Sequence, residues 1–524
     1  MADAAKTGAA GASKSRAAAS RRPAAKPGTR FAFDLSTSAR WSGVAVGIVR
    51  VERELARRAQ EHLGDRLQYC LYDLHAKAFR TIDPTTAMAI VEGRLNVDFE
   101  PGETQRLADL ELRTQVRAHL LNRPRLFSVL QALRGRKVSI EQTLALRAAT
   151  GAPSMTFRQI GREYLIGNPR LYQAFQRLRG RSLSLSQISQ IRAEEARQRR
   201  PVEAGAKRVK LADLAAGELK LAPDLVVISG GLDWEHKDLR AIYRLKGEHG
   251  FRYAAILYDL IPLNLPQYVV PHYVNLLTDY FGELFWTADF GMCISRKTQE
   301  DALAYCAENG MQPLAMRHFP LGGDLPPSKV QATLPEALTG KRYAIFVSTI
   351  EPRKNHRALY EAWDHAVRQG RIDAETCRLV FVGRAGWNTS ELMHEIRTNP
   401  HTKDSIVLME GVSDAMLDAL YKGADFGLFP SRYEGYGLPL AEMLSHGLPC
   451  IVSPAGSLPE VGEQLVVYKD PIDIAGWSEE IVRFFSEPQL LAAHRQAIRE
   501  RYRPISWERA SDEFFRALEG LVKS

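Results

Sequence analysis

Short apolar runs alternate with helix-length segments along most of the chain. In the first half these runs each end in turn-forming residues, and they lie at 30–36, 67–74, 225–231, 253–261 and 290–295. Between the first two runs, apolar residues recur every three or four positions, which indicates a helix. Alternating strands and helices are typical of a parallel, doubly wound sheet. We therefore predict an α/β domain over residues 30–325.

A second series of the same kind follows and predicts a second doubly wound domain over 336–505. Its strand-like runs lie at 343–350, 379–384, 405–411, 425–431, 449–454 and 465–470. The stretch 321–335 is rich in Gly and Pro and is predicted to link the domains. Ligands of open α/β sheets bind beyond the carboxyl ends of the strands, so the chemistry is expected in a cleft between the two domains.

Two segments depart from this alternation. Residues 1–29 are rich in Ala, Lys, Arg, Ser and Gly, with almost nothing to bury, and are predicted to be a disordered basic tail. Residues from about 100 to 220 favour long, Arg-rich helices and are interpreted as a helical insertion in the first domain. Its basic and apolar side chains would suit either an anionic membrane surface or a solvated face packed on the domain.

Composition narrows the class of protein. Hydrophobic residues make up 45% of the chain and charged residues 25%, as in ordinary globular proteins. No apolar run reaches 18 residues and no signal-like apolar segment opens the chain, so we expect a cytoplasmic protein. The net charge of +9 favours an anionic partner without selecting one. Five scattered cysteines with no CxxC spacing predict neither a disulfide framework nor a zinc site.

The stretch 431–461 carries the most informative chemistry. It begins where a predicted strand ends, with Glu434 in the loop and Pro439 placed as the first residue of a helix. Gly435 and Gly437 let the backbone bend sharply and approach a ligand. Free amides and the positive dipole end of a helix form a natural phosphate site. A nucleotide diphosphate is therefore the expected ligand.

Two carboxylates flank that loop. Glu442 is predicted in the opening turn of the helix, and Glu434 precedes it by eight positions. Ionised carboxylates only accept hydrogen bonds, which suits one of them to sugar hydroxyls and the other to ribose hydroxyls. Taken singly, Glu442 would be a favourable charge at a helix start and the glycines would be ordinary turn residues. Their combination favours the ligand site.

The segment EGYGLPLAE, with Glu434 and Glu442 at its ends, resembles the donor signature of retaining glycosyltransferases of family four, which have the GT-B fold. The resemblance extends to STIEPRKNHRALYEAW, FVGRAGW and SPAGSLPEV and covers most of 340–515. It implies that Glu434 contacts the donor sugar, Glu442 the ribose and Lys354 the diphosphate, without a metal or other cofactor.

The resemblance also implies which other residues serve the site. Relatives often carry a Gly-Arg pair where Ser348 and Thr349 stand here, so Arg353 or Arg384 would supply the second cationic contact. Arg353 is grouped with Glu434 and Lys354 as catalytic, and the donor-binding residues would be Glu442, Gly435, Tyr436, Gly437, Leu438, Arg384 and Thr349.

The first half resembles the acceptor domain of the same group more weakly, through GVAVGIVRVERELA, YDLIPLNLPQY, CISRKTQEDAL and PLGGDL. Relatives often have a His where Tyr258 stands. The acceptor-side candidates are Tyr258, Asp259 and Gly43, with Asp34, Asp233 and His236 as further polar residues near strand ends. The last segment, 506–524, resembles the terminal helix that crosses back to the first domain in this fold.

The resulting prediction is a retaining glycosyltransferase that moves a sugar from a nucleotide-sugar donor to a glycan or lipid-linked oligosaccharide in surface polysaccharide or lipopolysaccharide biosynthesis. The EPRKN stretch is common in mannosyltransferases of this group, so GDP-mannose is the favoured donor. Contact with the inner face of the cell membrane would fit a lipid-linked acceptor. The alternatives are a nucleotide-sugar epimerase of the same fold and a non-catalytic protein that binds membrane or nucleic acid. No zinc spacing or RNP-like stretch favours nucleic acid.

Overall fold

The computed structural model describes residues 28–41, 47–98, 207–214, 217–325 and 332–524. Nearly all of the predicted basic tail, Gly43 and the part of the predicted helical insertion before residue 207 lie outside these ranges. Within them the chain forms two large α/β sheets, each covered by helices. None of the helices in these ranges is both long and apolar enough to cross a membrane.

The first domain is built on an eight-stranded sheet with the order β10-β9-β8-β7-β1-β2-β3-β6, and β4 and β5 form a separate pair. Its strands are β1 (Arg30–Asp34), β2 (Leu67–Asp73), β3 (Ala78–Ile82), β4 (Leu95–Asp98), β5 (Lys207–Lys210), β6 (Gly217–Glu218), β7 (Leu225–Ser229), β8 (Arg252–Leu257), β9 (Phe290–Cys293) and β10 (Ala315–His318). Its helices are α1 (Ser36–Arg40), α2 (Ile48–Leu63), α3 (Pro84–Val91), α4 (Leu211–Leu214), α5 (Asp233–His236), α6 (Leu239–His249), α7 (Ile261–Asn264), α8 (Pro271–Thr287) and α9 (Arg296–Glu308).

Six neighbouring strands of this sheet, from β10 to β2, are parallel, and β3 and β6 close one edge in antiparallel fashion. The turn between β2 and β3 is too short for a parallel crossover, which explains the change of direction. The chain leaves β1 toward one edge and later returns to its other side as β7. This reversal opens a crevice at the carboxyl ends of β1 and β7, where Asp34 pairs with Ser229 in register.

The second domain has a six-stranded, wholly parallel sheet in the order β13-β12-β11-β14-β15-β16. Its strands are β11 (Arg342–Val347), β12 (Cys377–Val382), β13 (Ile406–Met409), β14 (Phe426–Phe429), β15 (Cys450–Val452) and β16 (Val467–Tyr468). Its helices are α10 (His356–Arg368), α11 (Ser390–Thr398), α12 (Asp414–Gly423), α13 (Leu438–Ser445), α14 (Leu458–Gly462), α15 (Ile474–Ser486) and α16 (Pro488–Arg501). The predicted class, two doubly wound domains, is confirmed.

The last helix, α17 (Trp507–Lys523), packs against α2 and β10 of the first domain. Its start is tied to the end of that domain, because the Trp507 amide donates to Asp324 Oδ1 at 2.7 Å. The Gly323 amide donates to the Ile505 carbonyl at 2.8 Å. A Cβ on Gly322 would lie 2.6 Å from the Trp507 ring, so only glycine allows this close approach.

The helical insertion prediction is wrong at its C-terminal end. Residues 207–210 and 217–218 are strands, separated by the four-residue helix α4. β5 pairs in parallel with β4, with Leu95 opposite Lys207, while β6 lengthens the edge next to β3. Pairing with β4 and β3, which come from earlier in the chain, satisfies the backbone of these two short strands, and local composition alone could not reveal those partners.

Candidate functional site

The chain adds β12 and β13 on one side of β11 and β14 to β16 on the other, so the strand order reverses between the adjacent strands β11 and β14, with Ala344 opposite Phe426. The loops that follow these two strands therefore leave the same edge of the sheet side by side. This brings Lys354 and Glu434 together across 80 positions of sequence. The Lys354 Nζ lies 2.7 Å from Glu434 Oε1 and 2.8 Å from Oε2. Both predicted residues thus lie in one cluster at a second crevice, at the carboxyl ends of β11 and β14.

Arg353 belongs to the same cluster and also contacts Glu434. Its Nη1 donates to the Tyr433 carbonyl at 2.7 Å and to Glu434 Oε2 at 3.1 Å. Its Nη2 donates to Glu351 Oε1 at 2.9 Å. Two cations and two carboxylates are therefore interleaved, and Glu351 is a member that the sequence reasoning did not single out.

Asn355 holds the two loops in place. The residue ends the 3-10 turn Pro352–Lys354 and has a φ of +62°, a left-handed conformation that Asn tolerates better than most side chains. Its buried Nδ2 donates to the carbonyls of Pro430 at 3.1 Å and Pro471 at 2.7 Å. Asn355 thus fixes the turn that presents Lys354 to Glu434, and its position inside EPRKN was the available signal.

Burial and charge pairing act against each other in the electrostatics of the cluster. Burial raises the pKa of Glu434, but Lys354 and Arg353 outweigh it and the pKa is lowered. The pKa of Lys354 is also lowered, first by burial and then by repulsion from Arg353, with Glu434 offsetting only part. The charge on Lys354 is therefore undercompensated, and an additional anion beside it would be stabilising.

The glycine loop packs tightly between the domains. A Cβ on Gly435 would lie 2.5 Å from the Tyr258 carbonyl oxygen of the first domain. Gly437 has a φ of +99° and precedes α13, which starts at Leu438. The helix therefore begins one residue before Pro439. Glu442 consequently lies beyond the opening turn, contrary to the sequence prediction.

Glu442 belongs to a different contact set from Glu434. Its Oε1 lies 2.9 Å from Arg50 Nη1 on α2 of the first domain. The Tyr421 hydroxyl donates to Oε2 at 2.9 Å. Burial raises the pKa of Glu442, with Arg50 and Tyr421 opposing the shift. The sequence reasoning missed both partners, because nothing local marks an arginine that pairs across a domain boundary.

The other predicted donor residues are scattered around this centre. Tyr436 is buried and its hydroxyl donates to the Leu321 carbonyl at 2.9 Å, so it serves the domain contact. Thr349 lies where β11 ends, beside the loop of Arg384, whose carbonyl accepts from the Ile350 amide at 2.9 Å. The side chain of Arg384 is exposed, and Leu438 is partly buried.

The two described acceptor-side candidates face different ways. Tyr258 is buried, and its hydroxyl donates to the Gly230 carbonyl inside the first domain. Asp259 is partly exposed and accepts from the Ile261 amide at 3.1 Å. Burial raises the pKa of Asp259, while Arg353 counteracts the shift. Of this adjacent pair, Asp259 therefore reaches the interdomain space.

The polar residues at the first-domain crevice form a buried network. Lys237 Nζ lies 2.5 Å from Asp34 Oδ2 and 2.9 Å from Asp233 Oδ1. The Tyr253 hydroxyl donates to Asp233 Oδ2 at 3.0 Å. Burial is the main reason that the pKa of His236 falls to about 3. Asp34 and Asp233, which were left open as acceptor-side candidates, thus share the single cation Lys237 inside the first domain.

The arrangement around Glu434 can bind an anion and polar hydroxyls at once. Lys354 and Arg353 supply charge-assisted donors, and the first amides of α13 lie in the same loop region. In the part of the chain that the structure describes, no group of three or more His, Cys, Asp or Glu side chains is placed to hold a metal ion.

Comparison with known proteins finds a match to a family model within the second domain. Residues 335–501 match the family described as glycosyl transferases group 1. The serotype-specific mannosyltransferase WbdA of Escherichia coli is 28% identical over 267 residues, which are 48% of this chain and 31% of that protein. The O-antigen chain mannosyltransferase B of Escherichia coli is 29% identical over 185 residues, which are 35% of this chain and 47% of that protein.

The chain thus spans about a third of the length of its WbdA relatives. Among solved structures, Anabaena Alr3699/HepE in complex with UDP and glucose is similar over 94% of this chain and 100% of that chain, with a TM-score of 0.49 and 11% sequence identity.

Proposed function

We propose that this GT-B chain is a retaining mannosyltransferase of surface polysaccharide synthesis. The proposal starts from the match of residues 335–501, within the second domain, to the glycosyl transferases group 1 family. The observation that carries the proposal is the cluster in which Lys354 and Arg353 both hold Glu434 at the crevice of that domain. A nucleotide-sugar has an anionic diphosphate next to a polyol, and this cluster offers cations next to a carboxylate.

Lys354 and Arg353 would bind the diphosphate. The lowered pKa of Lys354 reflects burial and the nearby Arg353, so a diphosphate beside it would favour its charged form. Glu434, relieved of part of its contact with these cations, would accept hydrogen bonds from the donor sugar. The amides at the start of α13 would add to the positive potential on the phosphates.

Transfer in this scheme breaks the bond between the anomeric carbon and the diphosphate oxygen and forms a bond to an acceptor hydroxyl oxygen. The cations stabilise the charge that grows on the leaving diphosphate. The acceptor proton passes to an oxygen of the leaving phosphate on the same face of the sugar, which retains the anomeric configuration. No metal is required, since Lys354 and Arg353 provide the compensating charge.

Glu442 would bind the ribose in this proposal. Its two oxygens contact Arg50 and Tyr421, so the carboxylate has a defined orientation and retains acceptor capacity for a hydroxyl. Because Arg50 comes from the first domain, ribose binding and the contact between the domains would depend on each other.

Mannose is the proposed sugar because the relatives include two named mannosyltransferases, WbdA and the O-antigen chain enzyme. GDP is the proposed nucleotide, in keeping with the EPRKN resemblance. The proposed acceptor is a growing glycan or lipid-linked oligosaccharide. We place the enzyme in the cytoplasm, in peripheral contact with the inner face of the membrane, as such an acceptor requires.

The test measures release of nucleoside diphosphate from GDP-, UDP- and ADP-sugars, with and without a lipid-linked oligosaccharide extract. We expect acceptor-dependent release from GDP-mannose alone. Glu434→Gln and Lys354→Ala should each lower kcat by about 100-fold or more, as expected when a group that stabilises the transition state is lost. Anomeric configuration is read from the product by NMR.

Lys422→Ala is the matched control, because it removes an exposed lysine that pairs with Asp418 within one helix of the same domain. It should retain wild-type turnover. Epimerised sugar without any need for acceptor would indicate an epimerase instead. Absence of release from all donors, together with no thermal stabilisation by any nucleotide, would contradict the donor site.

A further inference from the structure

A cavity of about 280 Å³ lies between the two domains, next to the Glu434 cluster. One wall is the first-domain segment from Asp259 to the start of α8. The other wall comes from the loops that follow β11 and β12. The side chains on which its chemistry depends are those of Asp259, Tyr268, Tyr273, Glu351, Arg353 and Trp387.

We propose that this cavity is the acceptor subsite and holds the terminal hexopyranose ring of the acceptor glycan. The inference rests on the proposed function and makes it more specific, since it assigns the sugar end of the acceptor, rather than a lipid, to defined residues. It also assigns a role to Trp387, which lies in the FVGRAGW motif but was given none.

The aromatic side chains suit the apolar face of a sugar ring. Tyr268, Tyr273 and Trp387 line one small space from both domains. Tyr273 is 39% exposed, so a bound sugar ring would cover more of its surface. Burial of large aromatic side chains is a major source of binding energy. Ligand sites are typically lined by aromatic side chains with a few convergent polar groups, which describes this cavity.

The carboxylates suit the hydroxyl rim of the same ring. Asp259 uses Oδ1 for the Ile261 amide, and Glu351 uses Oε1 for Arg353. A carboxylate can accept about four hydrogen bonds, so both keep capacity for hydroxyl donors. Together with the guanidinium of Arg353, they provide acceptors and a donor in the cavity that the aromatic side chains also line.

Position favours the acceptor over the donor. Arg353 separates the two spaces, because its Nη1 contacts Glu434 and its Nη2 contacts Glu351 in the cavity wall. A ring in the cavity would therefore lie beside the donor sugar, where an attacking hydroxyl must come from. The volume lies near the lower limit of about 300 Å³ for ligand pockets, which suits one ring and not a long chain.

The experiment compares wild type with Tyr273→Ala, Trp387→Ala and the conservative Trp387→Phe, using GDP-mannose and methyl α-D-mannopyranoside as probes. Acceptor-dependent transfer and acceptor-independent hydrolysis of the donor are measured separately. Loss of one ring contact should raise the acceptor KM by roughly 5- to 10-fold. The donor KM and the hydrolysis rate should stay unchanged, and Trp387→Phe should recover most of the acceptor affinity.

Tyr243→Ala is the control, because Tyr243 is 53% exposed on α6 and does not line this cavity. A parallel rise of donor KM in the Tyr273 and Trp387 variants would assign the cavity to the donor and overturn the proposal. An unchanged acceptor KM would also overturn it.

Direct binding separates this proposal from the proposed function. Saturation-transfer NMR with methyl α-D-mannopyranoside and with the glucoside needs no turnover. Hexoside binding that is lost in Trp387→Ala supports the subsite even if no donor is consumed, in which case only the proposed function fails. If neither glycoside binds wild type at millimolar concentration, the subsite is refuted even if donor hydrolysis is present.

Discussion

Two buried glutamates, Glu434 in the second domain and Glu52 in the first, have opposite pKa shifts. Glu434 is buried against Lys354 and Arg353, and these cations lower its pKa despite burial. Glu52 on α2 is fully buried and accepts from the Ser38 amide at 2.6 Å. Burial, with the negative charge of Asp34, raises its pKa to about 8, and the hydrogen bonds from Ser38 and the charge of Lys237 offset only part of this shift. The same residue type is thus ionised in one crevice and protonated in the other at neutral pH.

The Glu52→Gln variant tests the raised pKa of the Glu52 carboxyl. Below about pH 4.5 the Glu52 carboxyl is protonated in both folded and unfolded chains, and between about 4.5 and 8 only the folded chain retains the proton. The wild-type free energy of unfolding should therefore fall as pH rises through this range, and the contribution should be lost above pH 8. Glu52→Gln removes this part of the decline. The free energy of unfolding of the variant should therefore rise relative to that of wild type as pH rises.

Urea unfolding at pH 5, 7 and 9 measures the difference between the two proteins. Glu61→Gln is the control, because Glu61 is exposed on the same helix. A Glu52→Gln variant whose stability stays parallel to wild type across this range would show that the raised pKa is wrong.

Helix α13 depends on the glycine that precedes it and the glycine that follows it, but for different reasons. Gly437 has φ +99° and ψ +50°, and a Cβ there would lie 2.6 Å from Leu458 Cδ2. Gly447 has φ +68°, and its Cβ would meet only Arg499 Cγ, at 3.9 Å. Both require a positive φ, but only Gly437 also requires the absence of a side chain. Comparing alanine substitutions at the two glycines therefore distinguishes the cost of backbone strain from the cost of steric contact.

Gly437→Ala is expected to destabilise the protein more than Gly447→Ala. A left-handed conformation costs an L-residue about 1–2 kcal/mol, which applies to both variants. Overpacking against Leu458 adds about 1–3 kcal/mol for Gly437→Ala alone. Because the loop before α13 carries Glu434, this variant should also weaken donor binding. Equal unfolding free energies for the two variants, from urea titration, would contradict the contact argument.

Across the whole molecule, one buried ion pair and one partly exposed ion pair connect segments that lie far apart in sequence. Arg50 from α2 pairs with Glu442, and both side chains are almost fully buried. The last helix returns to the first domain, where Arg66 pairs with Glu519 at 2.5 Å. The relative position of the two crevices therefore depends on side chains far apart in sequence.

Arg50→Ala should loosen this arrangement. Removal of one partner leaves the Glu442 carboxyl buried without its cation, a loss of about 3–5 kcal/mol for a buried pair. We expect a larger radius of gyration in small-angle X-ray scattering and a lower melting temperature. Arg57→Ala is the control, because Arg57 pairs with Glu54 on its own helix at 2.5 Å. Identical scattering from the two variants would argue against an interdomain role for Arg50.

Local patterns determined much of this protein. Alternating apolar runs and helix-length segments were sufficient to predict two doubly wound domains, because strand and helix periodicity are properties of neighbouring residues. The motifs around Lys354 and Glu434 identified the residues that meet at the second crevice, since both follow predicted strands. The short strands within 207–218 were missed because they form only by pairing with β4 and β3, which come from earlier in the chain.

Contacts between distant segments were decided only by tertiary structure. Arg50 meets Glu442 across 392 positions, and no local pattern marks such a pair. The sequence places Asp34 and Asp233 near strand ends, but only the fold shows that both are buried against Lys237. The cavity with Tyr273 and Trp387 likewise exists only because two domains face each other. Sequence determines which side chains lie at strand ends, whereas the packing of whole domains determines which of them meet, because burial and charge pairing act through space.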